Sequence, residues 1–179
     1  RSTGIRAITV AEDDALAWVA ISSGSDDIVL ATIEGRIARF PEKEVRPMGR
    51  DAAGVIGIRL ARKGDEVVGM GVVEPGADIL VLTETGYGKR VALDEFRTKH
   101  RGSQGVRLIP IEGRKTGPVA AVELVSEADE ELLLISREGQ VVRTDVKSVA
   151  RYGSGARGVA VMRLNAGDEV AGIAVFRAG

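Results

Sequence analysis

Short apolar runs recur along this chain at a regular interval, each bracketed by polar or turn-forming residues. Three share one pattern: Asp27-Ile28-Val29-Leu30-Ala31-Thr32, Asp78-Ile79-Leu80-Val81-Leu82-Thr83 and Glu131-Leu132-Leu133-Leu134-Ile135-Ser136. Each is an acid, four apolar residues and a hydroxyl. Apolar runs of this length, bounded by turn residues, predict buried strands. A glycine follows each run, at Gly35, Gly86 and Gly139. Glu34-Gly35 and Glu138-Gly139 read as tight hairpin turns in which glycine supplies a positive φ. A second glycine stands 19 residues after the first in every copy, at Gly54, Gly105 and Gly158. A valine and a strand-like stretch follow it each time (Val55, Val106, Val159). A third apolar stretch closes the unit: Val67 to Val73, Val119 to Val125, and Val170 to Phe176.

A fixed internal offset repeated three times is not what chance similarity among Val- and Gly-rich strands produces. The chain is a repeat with a period of about 50 residues. The fold class is all-β: each unit supplies about four antiparallel strands, one blade of a propeller-like array that buries its faces against its neighbours. The units run 26–76, 77–128 and 129–179, and together with residues 1–25 they make one domain. Residues 1–25 hold only the second half of a blade. Gly4-Ile5-Arg6-Ala7-Ile8 matches Gly54-Val55-Ile56-Gly57-Ile58, Asp14 matches Asp65, and Leu16 to Ile21 is the expected closing strand. The array is therefore partial, three full repeats plus a half. With Arg1 rather than Met in first place, the chain reads as a piece cut from a longer array. Val91 to Phe96 can form one helical turn, and no amphipathic helix of ordinary length is predicted.

Composition narrows the chemistry. The chain is 44% hydrophobic but only 3% aromatic, so Val, Ile, Leu and Ala must build the core, with Trp18 read as packing. There is no Cys, which excludes disulfides, a thiolate zinc site and a cysteine nucleophile, and fits a reducing cytoplasm. No apolar run approaches ~18 residues and no signal peptide is visible, so no membrane partner is expected. The single His has no carboxylate at useful spacing. Hence no catalytic residue, metal site, cofactor or small-molecule substrate is expected in this piece.

Net charge is −1, from 25 basic and 26 acidic residues, which taken whole argues against a nucleic-acid partner. Its distribution changes the picture. Four residues after each first glycine stands an arginine: Arg39, Arg90 and Arg143. The loop that follows is also basic. It carries Arg46 and Arg50, offset by Asp51, in one unit; Arg97, Lys99, His100 and Arg101 in the next; and Arg151 and Arg157 in the last. The acids Asp13, Asp14, Asp26, Asp27, Glu127, Asp129, Glu130 and Glu131 cluster near closing strands and links. Equivalent positions of stacked blades share a side, so the basic loops are expected on one rim and the acids elsewhere. A positive stripe repeated blade by blade suits the phosphates of curved double-stranded DNA. There is no recognition helix, so bending rather than base reading is the expected output. Tyr87, Phe96 and Tyr152 lie near these loops but are too few for a single-strand stacking platform. A propeller-type protein-interaction scaffold is the alternative of a different class, and it leaves the basic loops without a role.

Several of these segments resemble a known repeat signature. Val45-Arg46-Pro47-Met48-Gly49-Arg50-Asp51-Ala52-Ala53-Gly54-Val55-Ile56-Gly57-Ile58-Arg59-Leu60 is similar to the repeat of the C-terminal domain of type IIA bacterial topoisomerase A subunits, found in DNA gyrase and its relative topoisomerase IV. Glu95-Phe96-Arg97-Thr98-Lys99-His100-Arg101-Gly102-Ser103-Gln104-Gly105-Val106 and Ser154-Gly155-Ala156-Arg157-Gly158-Val159-Ala160-Val161-Met162-Arg163-Leu164 fit the same signature. The resemblance covers essentially the whole chain. It implies a β-pinwheel, a propeller-like disc whose four-stranded blades exchange a strand between neighbours, with DNA bent around a basic perimeter. It also implies an ATP-hydrolysing parent enzyme whose catalytic tyrosine, metal and ATP sites lie elsewhere. Its implied partners are the rest of the A subunit, together with the gyrase B subunit. One departure stands out. Gyrase carries a Gln-Arg-Arg-Gly-Gly-Arg/Lys-Gly box, and the nearest stretch, Lys99 to Gly105, matches it only at Arg101, Gly102 and Gly105. That stretch reads as a degenerate copy from a later blade.

Overall fold

The computed structural model describes residues 4–126 and 128–177, with side chains described for all of these except 129, 130 and 177. The apolar runs become strands, and every strand pair is antiparallel. β1 (Asp27–Thr32) and β2 (Arg36–Pro41) form a hairpin, and β3 (Val67–Val72) returns to pair with β1. β4 (Asp78–Thr83), β5 (Tyr87–Ala92), β6 (Val106–Arg107) and β7 (Val119–Val125) follow. β8 (Asp129–Ser136), β9 (Val141–Asp145), β10 (Val159–Ala160) and β11 (Val170–Arg177) complete the strands. Three sheets result, in the orders β3-β1-β2-β6, β10-β5-β4-β7 and β11-β8-β9.

The fourth strand of a sheet does not come from its own repeat. β6 pairs with β2 of the preceding unit, and β10 pairs with β5 of the preceding unit. The second and third units thus each supply three strands to their own sheet and a two-residue strand to the neighbouring one, the exchange of strands between blades that the family resemblance implies. The expected closing strand Leu16 to Ile21 is corrected: among the described residues, 4–26 carry no strand. In the complete units the closing strand pairs with the first strand of the same unit, as β3 does with β1 and β7 with β4. Among the described residues the half unit has no first strand for its closing segment to pair with. Val19 and Ile21 accordingly stay 82% and 96% exposed.

Each hairpin turn is closed by a left-handed glycine, Gly35 (φ 73°), Gly86 (φ 85°) and Gly139 (φ 84°). The amide of Gly35 donates to Thr32 O at 3.0 Å, and that of Gly86 to Thr83 O at 2.9 Å. The helical turn expected near residues 91–96 is a 3₁₀ turn at Leu93–Glu95, with counterparts at Glu42–Glu44 and Val146–Ser148.

The core lies between sheets. β4 is buried at all six positions. Ile79 and Val81 pack with Val29, Ala31, Ile37, Leu93, Phe96 and Leu108 on one side. Leu80 and Leu82 pack with Leu132, Leu134, Val146 and Met162 on the other. Successive side chains of a strand point to opposite faces, so a continuous apolar run is what a sheet needs when blades cover both its faces. Each such side chain contributes about 1.5–3 kcal/mol. Among the described residues, no helix is long and apolar enough to cross a membrane.

Candidate nucleic-acid interface

Two of the basic loops are fastened to the preceding blade by closely related bonds, of which an amide-to-arginine-carbonyl bond and a guanidinium-to-backbone bond are common to both. For the loop at 97–101, the amide of Lys99 donates to Arg39 O at 2.8 Å, and the Arg39 guanidinium reaches back to Leu93 O (3.3 Å) and Phe96 O (3.4 Å). For the loop at 150–154, the amide of Tyr152 donates to Arg90 O at 2.9 Å, the Arg90 amide donates to Ala150 O at 3.0 Å, and Arg90 Nε donates to Val149 O at 2.7 Å. The acid that opens each first strand completes the seat. Asp27 Oδ2 accepts from Arg39 Nε at 2.8 Å and from the Thr98 hydroxyl at 2.6 Å. Asp78 accepts from Arg90 Nη1 at 3.4 Å and from Arg151 Nε at 2.9 Å. Burial pushes the Asp27 carboxyl up, but the Thr98 hydroxyl and the Arg39 guanidinium outweigh it and hold the group below its ordinary value.

The second glycine of the last two repeats marks where the loop lands. A side chain at Gly105 would stand 2.5 Å from Ile37 O, and one at Gly158 would stand 2.2 Å from Gly88 O. Both glycines have positive φ, 65° and 84°, so conformation and space each demand glycine there.

The predicted basic residues fall into distinct environments. Arg39 and Arg90 are largely buried, with side chains 17% and 18% exposed, and serve as pins between blades. Arg143 occupies the equivalent position in the last repeat, where the described chain brings no loop against it; it is exposed and pairs with Glu131. Arg101 turns inward, donating from Nε to Glu44 O at 3.0 Å and from Nη1 to Ile56 O at 3.0 Å. Arg157 pairs with Glu112 at 2.8 Å and lies 4.9 Å over the Tyr87 ring. The Arg157 hydrogen bond holds the Glu112 carboxyl below its ordinary value. Arg151 keeps more than half its side chain in solvent while bonding Asp78. His100 is 96% exposed and its Nδ1 stands 2.8 Å from the Glu44 carboxylate. Arg46, Arg50, Arg97 and Lys99 are exposed. The structure brings Arg97, Lys99, His100 and Arg101 together on one loop and Arg151 and Arg157 on the next. Arg46 and Arg50 stand on a loop of the first complete unit, which has no blade beneath it in this chain.

The expected separation of acids from arginines needs correction. Asp27 and Glu131 lie directly against Arg39 and Arg143, because the repeat places an acid and an arginine diagonally across its first hairpin. The signal was in the sequence: Asp27 and Arg39, Asp78 and Arg90, and Glu131 and Arg143 are each 12 residues apart. Glu127 and the side chains of Asp129 and Glu130, three of the acids assigned to the other side, lie outside the described residues. Sequence reasoning also passed over Lys89. It is fully buried in β5, and its Nζ donates to Gly153 O at 2.7 Å beneath the second seated loop. Burial pushes its pKa down to about 8, partly opposed by the nearby Glu95. Strand alternation alone does not flag a lysine whose aliphatic stem lies inside and whose amine finds a carbonyl.

Three comparisons place this geometry among known proteins. The family described as DNA gyrase C-terminal domain, beta-propeller, matches residues 1–23, 26–74, 77–126 and 130–177. The chain belongs to this family. The A subunit of DNA gyrase from Staphylococcus aureus (strain MRSA252) is 40% identical over 165 residues, covering 91% of this chain. The chain spans only 18% of that relative's length. The solved DNA gyrase A C-terminal domain superposes with a TM-score of 0.87 at 28% identity, covering 97% of this chain and 58% of the other. The C-terminal domain of DNA topoisomerase IV superposes with a TM-score of 0.89 at 23% identity, covering 96% of this chain and 53% of the other, a likeness of fold.

Proposed function

We propose that this chain binds duplex DNA through its phosphates, without reading base sequence, and curves it as part of the C-terminal domain of a bacterial gyrase A subunit. In that role it supports ATP-dependent supercoiling in the cytoplasm, together with the remainder of the A subunit and with the gyrase B subunit. The observation that carries the reading is the recurrence of the seat. Two successive blades hold the next repeat's basic loop by equivalent bonds, leaving Arg97 and Lys99 on one and Arg151 on the other open to solvent. Cations presented on successive seated loops suit a phosphate backbone, and among the described residues these loops carry no helix or strand that would enter a groove to read bases. Family membership and the 40% identity to a gyrase A subunit support the gyrase assignment.

Phosphate contacts release condensed counterions, so the logarithm of the binding constant falls with the logarithm of salt by about 0.9 per contact. Titrating an unrelated pair of duplexes at several salt concentrations is expected to give equal affinities for the two and a slope of about −3 or steeper. Salt-independent binding, or a strong preference for one duplex, would sink the reading.

A further inference from the structure

We propose that Glu44 and Glu95 are positioning residues for the DNA-contacting loops, so that an acid beside the binding surface increases affinity for DNA. This inference rests on the function proposed above. Glu44 ends the 3₁₀ turn after β2, and Glu95 ends the turn after β5, at the equivalent place one repeat later. The Arg101 amide donates to Glu44 Oε2 at 2.8 Å, and the Ser154 amide donates to Glu95 Oε2 at 3.2 Å. Arg101 and Ser154 are themselves equivalent, four residues before Gly105 and Gly158. Each carboxylate therefore binds the backbone of the next repeat's loop at the same point, next to the isolated bridges Ile58–Ser103 and Arg90–Arg151.

Glu44 does more than accept that one bond. Its second oxygen stands 2.8 Å from His100 Nδ1, and its own carbonyl accepts from Arg101 Nε at 3.0 Å. The adjacent Gly102 amide donates to Gly57 O at 2.6 Å. The loop is thereby bent so that Arg101 folds inward while Lys99 and His100 stay outside. The Arg101 amide, then the His100 ring, hold the Glu44 carboxyl below its ordinary value. In the third repeat the same position is Ser148, whose hydroxyl donates to Asp145 O within its own turn at 2.7 Å. The carboxylate latch is thus a property of the two seats that carry a following loop in this chain.

The sign of the effect separates positioning from charge. Field alone makes an acid near phosphates repulsive, so its removal would tighten binding. Positioning predicts the reverse for Glu44→Ala. Duplex titration of the 179-residue chain is expected to show roughly tenfold weaker binding for Glu44→Ala, with a salt slope shallower by about 0.9 for each phosphate that is no longer gripped. Glu44→Gln keeps an acceptor for the Arg101 amide and removes the charge, so it is expected to bind at least as well as the original chain. Amide exchange supplies a readout independent of DNA: protection should fall at Arg101 in Glu44→Ala and at Ser154 in Glu95→Ala, with the thermal midpoint little changed. The proposal is overturned if Glu44→Ala binds as tightly as Glu44→Gln or if the Arg101 amide keeps its protection. An original chain that fails to bind DNA would instead overturn the functional reading and leave the exchange result to decide the positioning role.

Discussion

Gly86→Ala is expected to lower stability by roughly 2–5 kcal/mol, a large fraction of the roughly 5–15 kcal/mol that a domain possesses. Two costs add. The backbone at Gly86 has φ 85°, where an L side chain costs about 1–2 kcal/mol. The new Cβ would also stand 2.2 Å from Met162 O. That oxygen belongs to the segment whose Val161 amide donates to Gly86 O at 2.9 Å, so the neighbour is fastened backbone rather than a yielding side chain. Forcing it away costs about 1–3 kcal/mol more. Gly139→Ala provides the control. Its φ is 84°, but nothing lies within 4 Å of the added atom, so only the conformational cost of about 1–2 kcal/mol applies. Thermal unfolding should therefore show a much larger fall in midpoint for Gly86→Ala than for Gly139→Ala. Equal falls would mean that the turn of β4 and β5 is not packed against the following repeat.

Asp78→Ala is expected to cost about 3 kcal/mol. The Asp78 side chain is 4% exposed and pairs with Arg90 at 3.4 Å and with Arg151 Nη2 at 2.8 Å. Removing it leaves the largely buried Arg90 guanidinium without its counter-charge, and loses one tie to the loop that carries Arg151. Breaking one side of a buried pair is costly for that reason, even where the pair as a whole contributes little. Glu131 holds the same repeat position, but its partner Arg143 is 70% exposed. Exposed ion pairs contribute little, so Glu131→Ala should leave stability nearly unchanged. Urea unfolding distinguishes the two through the midpoint, with the slope unchanged if only stability has moved. A loss from Glu131→Ala as large as that from Asp78→Ala would contradict this description of the blade interface.

The repeat was legible because the first strand of each unit is an unbroken apolar run, which in β4 is buried on both faces. Ile79-Leu80-Val81-Leu82 carries that message without any partner being known. Turn chemistry was equally plain, since Gly35, Gly86 and Gly139 do what no other residue does cheaply. Partner choice was not legible. Val106–Arg107 and Val159–Ala160 are too short to show a period, and nothing within them states that they pair with the preceding unit. Leu16 to Ile21 shows the complementary failure: its pattern describes a face that a sheet would cover, but a strand also needs a neighbour to accept its hydrogen bonds. The arginines show where charge reading stops. Arg39 and Arg97 look alike in sequence, yet one is pinned between blades by Asp27 and backbone carbonyls while the other lies open. The 12-residue spacing of acid and arginine held that distinction, because a hairpin of this length sets those two positions diagonally across from each other.

The central claim is that exposed cations on the seated loops, rather than basic residues in general, grip the phosphates of duplex DNA. Its most direct test compares two double charge reversals that change net charge equally, Arg97→Glu with Lys99→Glu and Arg59→Glu with Arg62→Glu. Arg59 and Arg62 are exposed and stand outside the seated loops. Binding to one duplex at about 0.1 M salt should weaken on the order of fiftyfold for the first pair, since each phosphate contact is worth about a factor of eight there. The second pair should lose several-fold less. Arg62 pairs with Glu34 at 3.6 Å, and Arg59, although its amide donates to Ser103 O at 2.9 Å, is not on the loop, so only its partly screened field reaches the phosphates. Equal losses from the two pairs, or no loss from the first, would contradict the assignment of the DNA-binding surface.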